Sequence, residues 1–216
     1  MSPVRVLLAT RNAKKLVELQ RILAPSATTA TLALGLEVVG LDDVPPFPET
    51  PETAATFEAN ALAKARDAAA ATGLPAVADD SGLEVDALNG MPGVLSARWA
   101  GRHGDDAANL QLVLDQLADV PAGRRGAAFV CAAALVVPPG AQTPEAQTVV
   151  RGQWHGTLSC ARRGSNGFGY DPIFIPDGDW RTSAELDPAE KDAISHRGRA
   201  LRALAPALRE LCPAQR

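Results

Sequence analysis

Four short segments of this 216-residue chain carry residue types that can do chemistry together. Thr10-Arg11-Asn12-Ala13-Lys14-Lys15 joins an apolar run, Val4–Ala9, to a stretch with helical spacing at Leu16, Leu19 and Leu23. A hydroxyl, an amide and two ammonium groups beside the N–H groups of a helix start make a cradle for phosphate. The plainer reading is an ordinary helix start, with Asn12 as its cap and the lysines in solvent. Asp79-Asp80-Ser81-Gly82 ends a second apolar run, Pro75–Ala78. Neighbouring carboxylates repel unless a cation or good donors lie between them. With no His or Cys nearby, hard oxygens of this kind suit Mg2+ and its waters, whereas the plainer reading is a solvated turn. Glu49 to Thr53 supplies further acid, including Glu52, at the head of a long helix, where negative charge is favoured by the helix dipole alone. The fourth segment is double: Gly167-Phe168-Gly169-Tyr170-Asp171-Pro172, and Lys191 through Arg197. A flat base can stack on Phe168 or Tyr170 among the glycines, while Lys191, His196 and Arg197 donate to its edge. The bland counterpart is a hairpin loop and a helix cap, with Phe168 in the core.

The elements that must position these segments follow from periodicity and punctuation. Val4–Ala9 reads as a buried strand and Asn12–Leu23 as a helix. Residues 24–36 read as a loop, Glu37–Leu41 as a second strand and Asp43–Pro51 as a rigid Pro-rich connection. Thr53–Thr72 is the clearest helix, with Phe57, Ala61, Ala65 and Ala68 on one stripe and Gly73 as its stop. Pro75–Ala78 is a short strand, and Asp105 or Asp106 caps a helix to about Ala118. Gly126–Val137 and Gln147–Leu158 form two long strands around a turn at Pro138–Pro144, an antiparallel pair. Helical segments around Pro188–Ala193 and Ser195–Leu211, the second disturbed at Pro206, close the chain. Interleaved helices and strands give an α/β fold with a mixed sheet.

Composition narrows the function. A content of 46% hydrophobic and 21% charged residues fits a globular chain of one domain, residues 1–216, rather than a disordered one. A net charge of −4 argues against a nucleic-acid-coating surface, so any anion site is local. No apolar run approaches the roughly 20 residues of a membrane span, and Val4–Ala9 is too short for a signal-peptide core. Cys131, Cys160 and Cys212 are odd in number and widely spaced, which fits reduced thiols in the cytoplasm. No Gly-x4-Gly-Lys-Ser/Thr, Gly-x-Gly-x-x-Gly, Gly-x-Ser-x-Gly or His-Glu-x-x-His occurs, which removes the enzyme classes those motifs mark. Only four lysines stand among 21 basic residues, and three of them, Lys14, Lys15 and Lys191, fall in the segments above. Lys64, on the long helix, has no role that the sequence assigns.

In this order the segments resemble the noncanonical purine nucleoside triphosphate pyrophosphatases, the inosine/xanthosine triphosphate pyrophosphatase family. The resemblance rests on Thr10-x-Asn12-x-x-Lys15, Glu52-Thr53-x-x-Thr56-Phe57-x-x-Asn60-Ala61 and Ala78-Asp-Asp-Ser-Gly-Leu83. It continues through Pro92-Gly-Val-x-Ser-Ala-Arg98, Gly167 to Phe174 and Ile194-Ser-His-Arg-Gly198, so it covers nearly the whole chain. The chain departs from the pattern at Lys14, where glycine is common. The resemblance implies an elongated mixed twisted sheet flanked by helices, two lobes around a central nucleotide cleft, and a homodimer. It implies Mg2+-dependent hydrolysis of ITP, dITP or XTP to the monophosphate and pyrophosphate. By the same likeness, Thr10 to Lys15 hold the triphosphate, Asp80 is the catalytic acid/base and a metal ligand, and Glu52 is the second metal carboxylate. Ser81 touches substrate, and Phe168, Gly169, Tyr170, Asp171, Lys191, His196 and Arg197 bind the nucleoside. A nucleotide sensor without chemistry is disfavoured, since a pure binder has no need of clustered acids beside a triphosphate. A pyrophosphatase of other nucleotides is the remaining alternative.

Overall fold

The computed structural model describes residues 3–23, 36–49, 51–140 and 144–211. Its strands are β1 (Val4–Leu8), β2 (Leu36–Val39), β3 (Ala76–Val85), β4 (Gly126–Val137), β5 (Ala146–Leu158) and β6 (Phe174–Pro176). Its helices are α1 (Ala13–Leu23), α2 (Phe57–Thr72), α3 (Asp106–Gln116), α4 (Pro188–Ile194) and α5 (His196–Glu210). The strands form one sheet in the order β2-β1-β3-β4-β5-β6. β1 runs parallel to both β2 and β3, and β5 runs antiparallel to β6. The fold is mixed α/β. β4 is an unbroken small-apolar run, Gly-Ala-Ala-Phe-Val-Cys-Ala-Ala-Ala-Leu-Val-Val, buried along almost its whole length. Continuous apolarity of this kind belongs to a strand covered on both faces.

The chain divides into two compact units, and β3, β4 and β5 give residues to both. Unit 1 comprises residues 1–80, 132–152 and 197–216. Its core takes Val6, Leu7 and Leu8 from β1, and Phe57, Ala61, Ala65 and Ala68 from α2. Ala200, Leu201, Leu204 and Leu208 of α5 add a stripe at helical spacing. Unit 2 comprises residues 81–131 and 153–196. Leu83, Val85, Leu110, Val113, Leu117, Phe129, Trp154, Tyr170 and Phe174 lead its core.

Three expected boundaries shift. α2 begins at Phe57 rather than Thr53, because the Thr56 hydroxyl accepts the Ala59 N–H and caps the helix there. The residues from Thr53 to Thr56 form a lead-in, with the Ala54 N–H held by Asn60 Oδ1 at 2.9 Å. Pro75–Ala78 is no short strand before a turn. β3 continues through Asp79, Asp80 and Ser81 to Val85. Gly82 permits this: a Cβ there would meet Ser96 Oγ at 2.3 Å and the Gly93 carbonyl at 2.6 Å. The loop expected at 24–36 lies almost wholly outside the described residues, and Leu36 already belongs to β2.

Candidate active site

In unit 1, two carboxylates stand side by side in β3 and take different partners, as strand alternation requires. Asp79 is buried, with Lys15 Nζ at 3.1 Å and Arg197 Nε at 3.6 Å from the same oxygen, Oδ2. Burial alone would raise its pKa, but the charges of Lys15, Arg197 and Lys64 overcome that and hold it at about 2. Asp80 is also buried, and accepts from Asn60 Nδ2 at 2.9 Å on one oxygen. Its other oxygen lies 3.5 Å from Lys64 Nζ, which also binds Glu52. Burial dominates at Asp80 and, with the charge of Glu52, keeps its pKa above the ordinary carboxylate value despite Lys64, Lys15 and the Asn60 amide. Two neighbouring aspartates are thereby pushed in opposite directions, one locked as a carboxylate and one made more basic.

The helices supply these partners by their own periodicity. Lys15, Glu18 and Leu19 share a stripe of α1 at i, i+3, i+4, which points Lys15 toward Asp79 and buries Glu18. Arg197 sits on the buried stripe of α5 with Ala200, Leu201 and Leu204, and its guanidinium binds Glu18. Asn60 and Lys64 are one helical turn apart on α2, so both face Asp80. The Asn60 amide is fixed at both ends, because its oxygen takes the Ala54 N–H and leaves the NH2 group for Asp80. At the α1 start, Asn12 Oδ1 accepts the N–H groups of Lys14 and Lys15, and the Asn12 N–H donates to Thr10 Oγ1. The ordinary helix cap is therefore real, but it exists beside a Lys15 committed to the acid pair. Lys14 and Ala13 are exposed. Arg11 turns to the Pro-rich stretch, donating to the Phe47 carbonyl and lying 5.6 Å over the Phe47 ring.

In unit 2, the glycine-rich loop is organised by Asp171. Its carboxylate accepts from the Phe168 N–H at 2.8 Å, Ser183 Oγ at 2.7 Å and Lys191 Nζ at 2.6 Å. Gly167 has φ +73°, and a Cβ there would lie 2.0 Å from Asp171 Oδ2 and 3.1 Å from Lys191 Nζ. Only glycine fits this turn. Lys191 Nζ also lies 5.5 Å above the Phe168 ring. Of the two candidate stacking rings, Phe168 is half-buried and Tyr170 is in the core, its hydroxyl donating to the Ser96 carbonyl at 2.8 Å. Burial raises the Tyr170 pKa, so the phenol stays protonated. Gly169 and Ser81 are half-buried, and His196 is buried under Phe129.

Thr10, Lys15, Glu52, Asp80 and Arg197 thus fall in unit 1, and Ser81, Phe168, Gly169, Tyr170, Asp171, Lys191 and His196 in unit 2. Arg197, expected at the base edge, has its guanidinium on Glu18 and Asp79 instead. Asn60, Lys64 and Glu18 escape the sequence reading as site residues. The scarcity of lysine was the available signal for Lys64; for Glu18 it was the three-residue step from Lys15. Among the described residues no group of three or more His, Cys, Asp or Glu could hold a metal ion. Glu52 and Asp80 nevertheless converge on one cation, the Lys64 ammonium. Two hard carboxylates completed by substrate phosphate oxygens and waters are a donor set that suits Mg2+.

With this geometry in view, comparison gives a family. The Ham1 family model matches residues 6–207, and the chain belongs to that family. It is 65% identical over 211 residues to a dITP/XTP pyrophosphatase of Nocardia farcinica, covering 98% of each chain. It is 62% identical over 207 residues to the dITP/XTP pyrophosphatase of Mycobacterium tuberculosis, covering 96% of each. A crystal structure of a nucleoside-triphosphatase / dITP/XTP pyrophosphatase from Mycobacterium abscessus is similar with a TM-score of 0.72 at 59% identity, over 94% of this chain and 100% of that one. A HAM1 protein from Coxiella burnetii gives a TM-score of 0.79 at 42% identity, over 96% and 99%.

Proposed function

We propose that this chain hydrolyses noncanonical purine nucleoside triphosphates (ITP, dITP and XTP) to the monophosphate and pyrophosphate, removing deaminated purines from the nucleotide pool. The observation that carries this is the Asp79–Asp80 pair, split into one locked and one basic carboxylate, in a chain 65% identical to a dITP/XTP pyrophosphatase. Thr10 to Lys15 would hold the triphosphate, and Phe168 to Asp171, Lys191 and His196 would bind the nucleoside. Asp80, with Glu52, would hold Mg2+, which when bound neutralises phosphate charge and orients the α-phosphoryl group. Asp80 takes the proton of the attacking water as its oxygen bonds to the α-phosphorus and the bond to the β-phosphate oxygen breaks. Pyrophosphate leaves with its charge met by Lys15 and the cations of the α1 start. Asn60 holds one Asp80 oxygen in place, and Lys64 keeps a positive charge beside Asp80 and Glu52.

The base is read by hydrogen-bond polarity. Hypoxanthine and xanthine present an oxygen at position 6, where adenine presents an amino group. Lys191, braced by Asp171 beside the Phe168 ring, is a donor that satisfies the oxygen and leaves the amino group unpaired. Buried donors of this sort discriminate by about 10⁴. A homodimer in the cytoplasm, with no nucleic-acid or membrane partner, completes the proposal; among the described residues no helix is long and apolar enough to cross a membrane. The test is incubation with ITP, dITP, XTP, ATP, GTP and dUTP plus Mg2+, with pyrophosphate assayed against orthophosphate. Turnover of ATP comparable to that of ITP, or release of orthophosphate in place of pyrophosphate, would overturn it.

A further inference from the structure

The His196 imidazole is one layer of a ring stack. Its centroid lies 4.8 Å from that of Phe129 with planes 15° apart, and 6.5 Å from that of Trp154 with planes 17° apart. Phe129 and Trp154 are themselves within 27° of parallel. Phe174 closes the group at a tilt, 49° to Phe129 and 54° to Trp154. All four rings belong to unit 2 and all are buried. An imidazole donates and accepts only in its own plane. A ring stacked on one face by a parallel neighbour therefore has the plane of its hydrogen bonds set by that neighbour. Phe129 is the fourth of the twelve residues of β4, a buried strand that cannot shift without disturbing the sheet, so the plane it imposes is held.

We infer that Phe129 is a positioning residue for base recognition, acting through the imidazole of His196. This rests on the nucleoside role proposed above for His196. Phe129 acts through the imidazole, whose two side-chain torsions it restricts to one ring plane. Removing its flat face lets His196 tilt and weakens substrate capture while the chemistry at Asp80 is unaffected. The signature is a rise in KM with kcat unchanged, present only when His196 is present.

The experiment is a double-mutant cycle of Phe129→Leu and His196→Ala, with KM and kcat for ITP measured beside wild type. Phe129→Leu should raise KM about 3- to 10-fold and hold kcat within about 2-fold. In the His196→Ala background the same change should move KM by less than about 2-fold. Phe174→Leu, which removes an equally buried ring that lies tilted in the group, should leave KM within about 2-fold of wild type and separates lost core from lost stacking. If Phe129→Leu fails to fold in thermal unfolding, Phe129→Met, apolar but without a flat face, takes its place in the cycle. Equal KM changes in both backgrounds, or an equal rise in Phe174→Leu, overturn the inference and leave the pyrophosphatase reading standing. A wild-type protein that does not turn over ITP overturns both.

Discussion

Asp80 and Asp79 share a peptide bond and divide the work of the acid pair by environment. Asp80→Asn keeps the shape and the Asn60 contact but removes the proton acceptor. It should fold as wild type and lose pyrophosphate release from ITP by about 10³-fold or more, on the scale set by removal of a catalytic group. Near wild-type turnover would take Asp80 out of the reaction. Asp79 makes its claim on stability. Its pKa in the fold, about 2, lies below the ordinary aspartate value of 3.8, so its stabilisation is fully present above that value and is lost as pH falls toward 2. The contribution is about 2 kcal/mol at neutral pH. Urea midpoints measured from pH 5 to pH 2 should fall steeply for wild type, and much less so for Asp79→Asn, which starts lower. Parallel curves would show that the Lys15 and Arg197 contacts do not stabilise the fold.

At the scale of elements, α2 and the Asp171 loop place the reactive groups and are open to direct test. Thr56→Ala removes the cap of α2 and should cost about 1 kcal/mol in a urea titration, with the ITP assay little changed. Gly167→Ala is different in kind: it drives a methyl into the Asp171 carboxylate and leaves the Lys191–Asp171 pair no room. Its mark should be a KM for ITP raised about 10-fold or more, since the cost of a lost buried ion pair falls on base binding rather than on phosphate chemistry. An unchanged KM would dissociate the loop from the base. Most elements were legible because their pattern is local: β4 was bounded at Gly126 and Val137 from its apolar run, and Asp105 was one of the two expected caps of α3. The acid pair was expected just past a strand ending at Ala78, whereas β3 runs on to Val85. Asp, Ser and Gly favour turns when nothing else is known, and the cations that let them continue a strand come from residues as distant as Lys15 and Arg197. Asn60 was visible as part of a motif, yet its job depends on Ala54 and Asp80 together, which spacing alone does not reveal. Tyr170 and Phe168 looked equivalent in sequence and were separated only by which of them reaches Ser96.

For the whole molecule, the lysine economy noted in the sequence has a structural sense. Lys15, Lys64 and Lys191 each end on a carboxylate, at Asp79, at Glu52 with Asp80, and at Asp171. Lys64 in particular supplies counter-charge to Glu52 and Asp80 within the chain itself. Chelation with EDTA should therefore abolish ITP hydrolysis yet shift the melting temperature by no more than about 2 °C, little more than the effect of a fraction of a kcal/mol. A large drop would make the metal structural. There is also a thermal corollary of the uninterrupted run of β3. Reactive groups usually ride on loops, which loosen first on warming and silence an enzyme well before it melts. Here the acid pair rides on β3, which stands between β1 and β4 in the sheet order and is buried from Ala76 through Asp80, and not on a loop of its own. Heat should then act as a single switch: the curve of lost activity and the curve of lost structure should superimpose, and no folded but inactive form should accumulate between them.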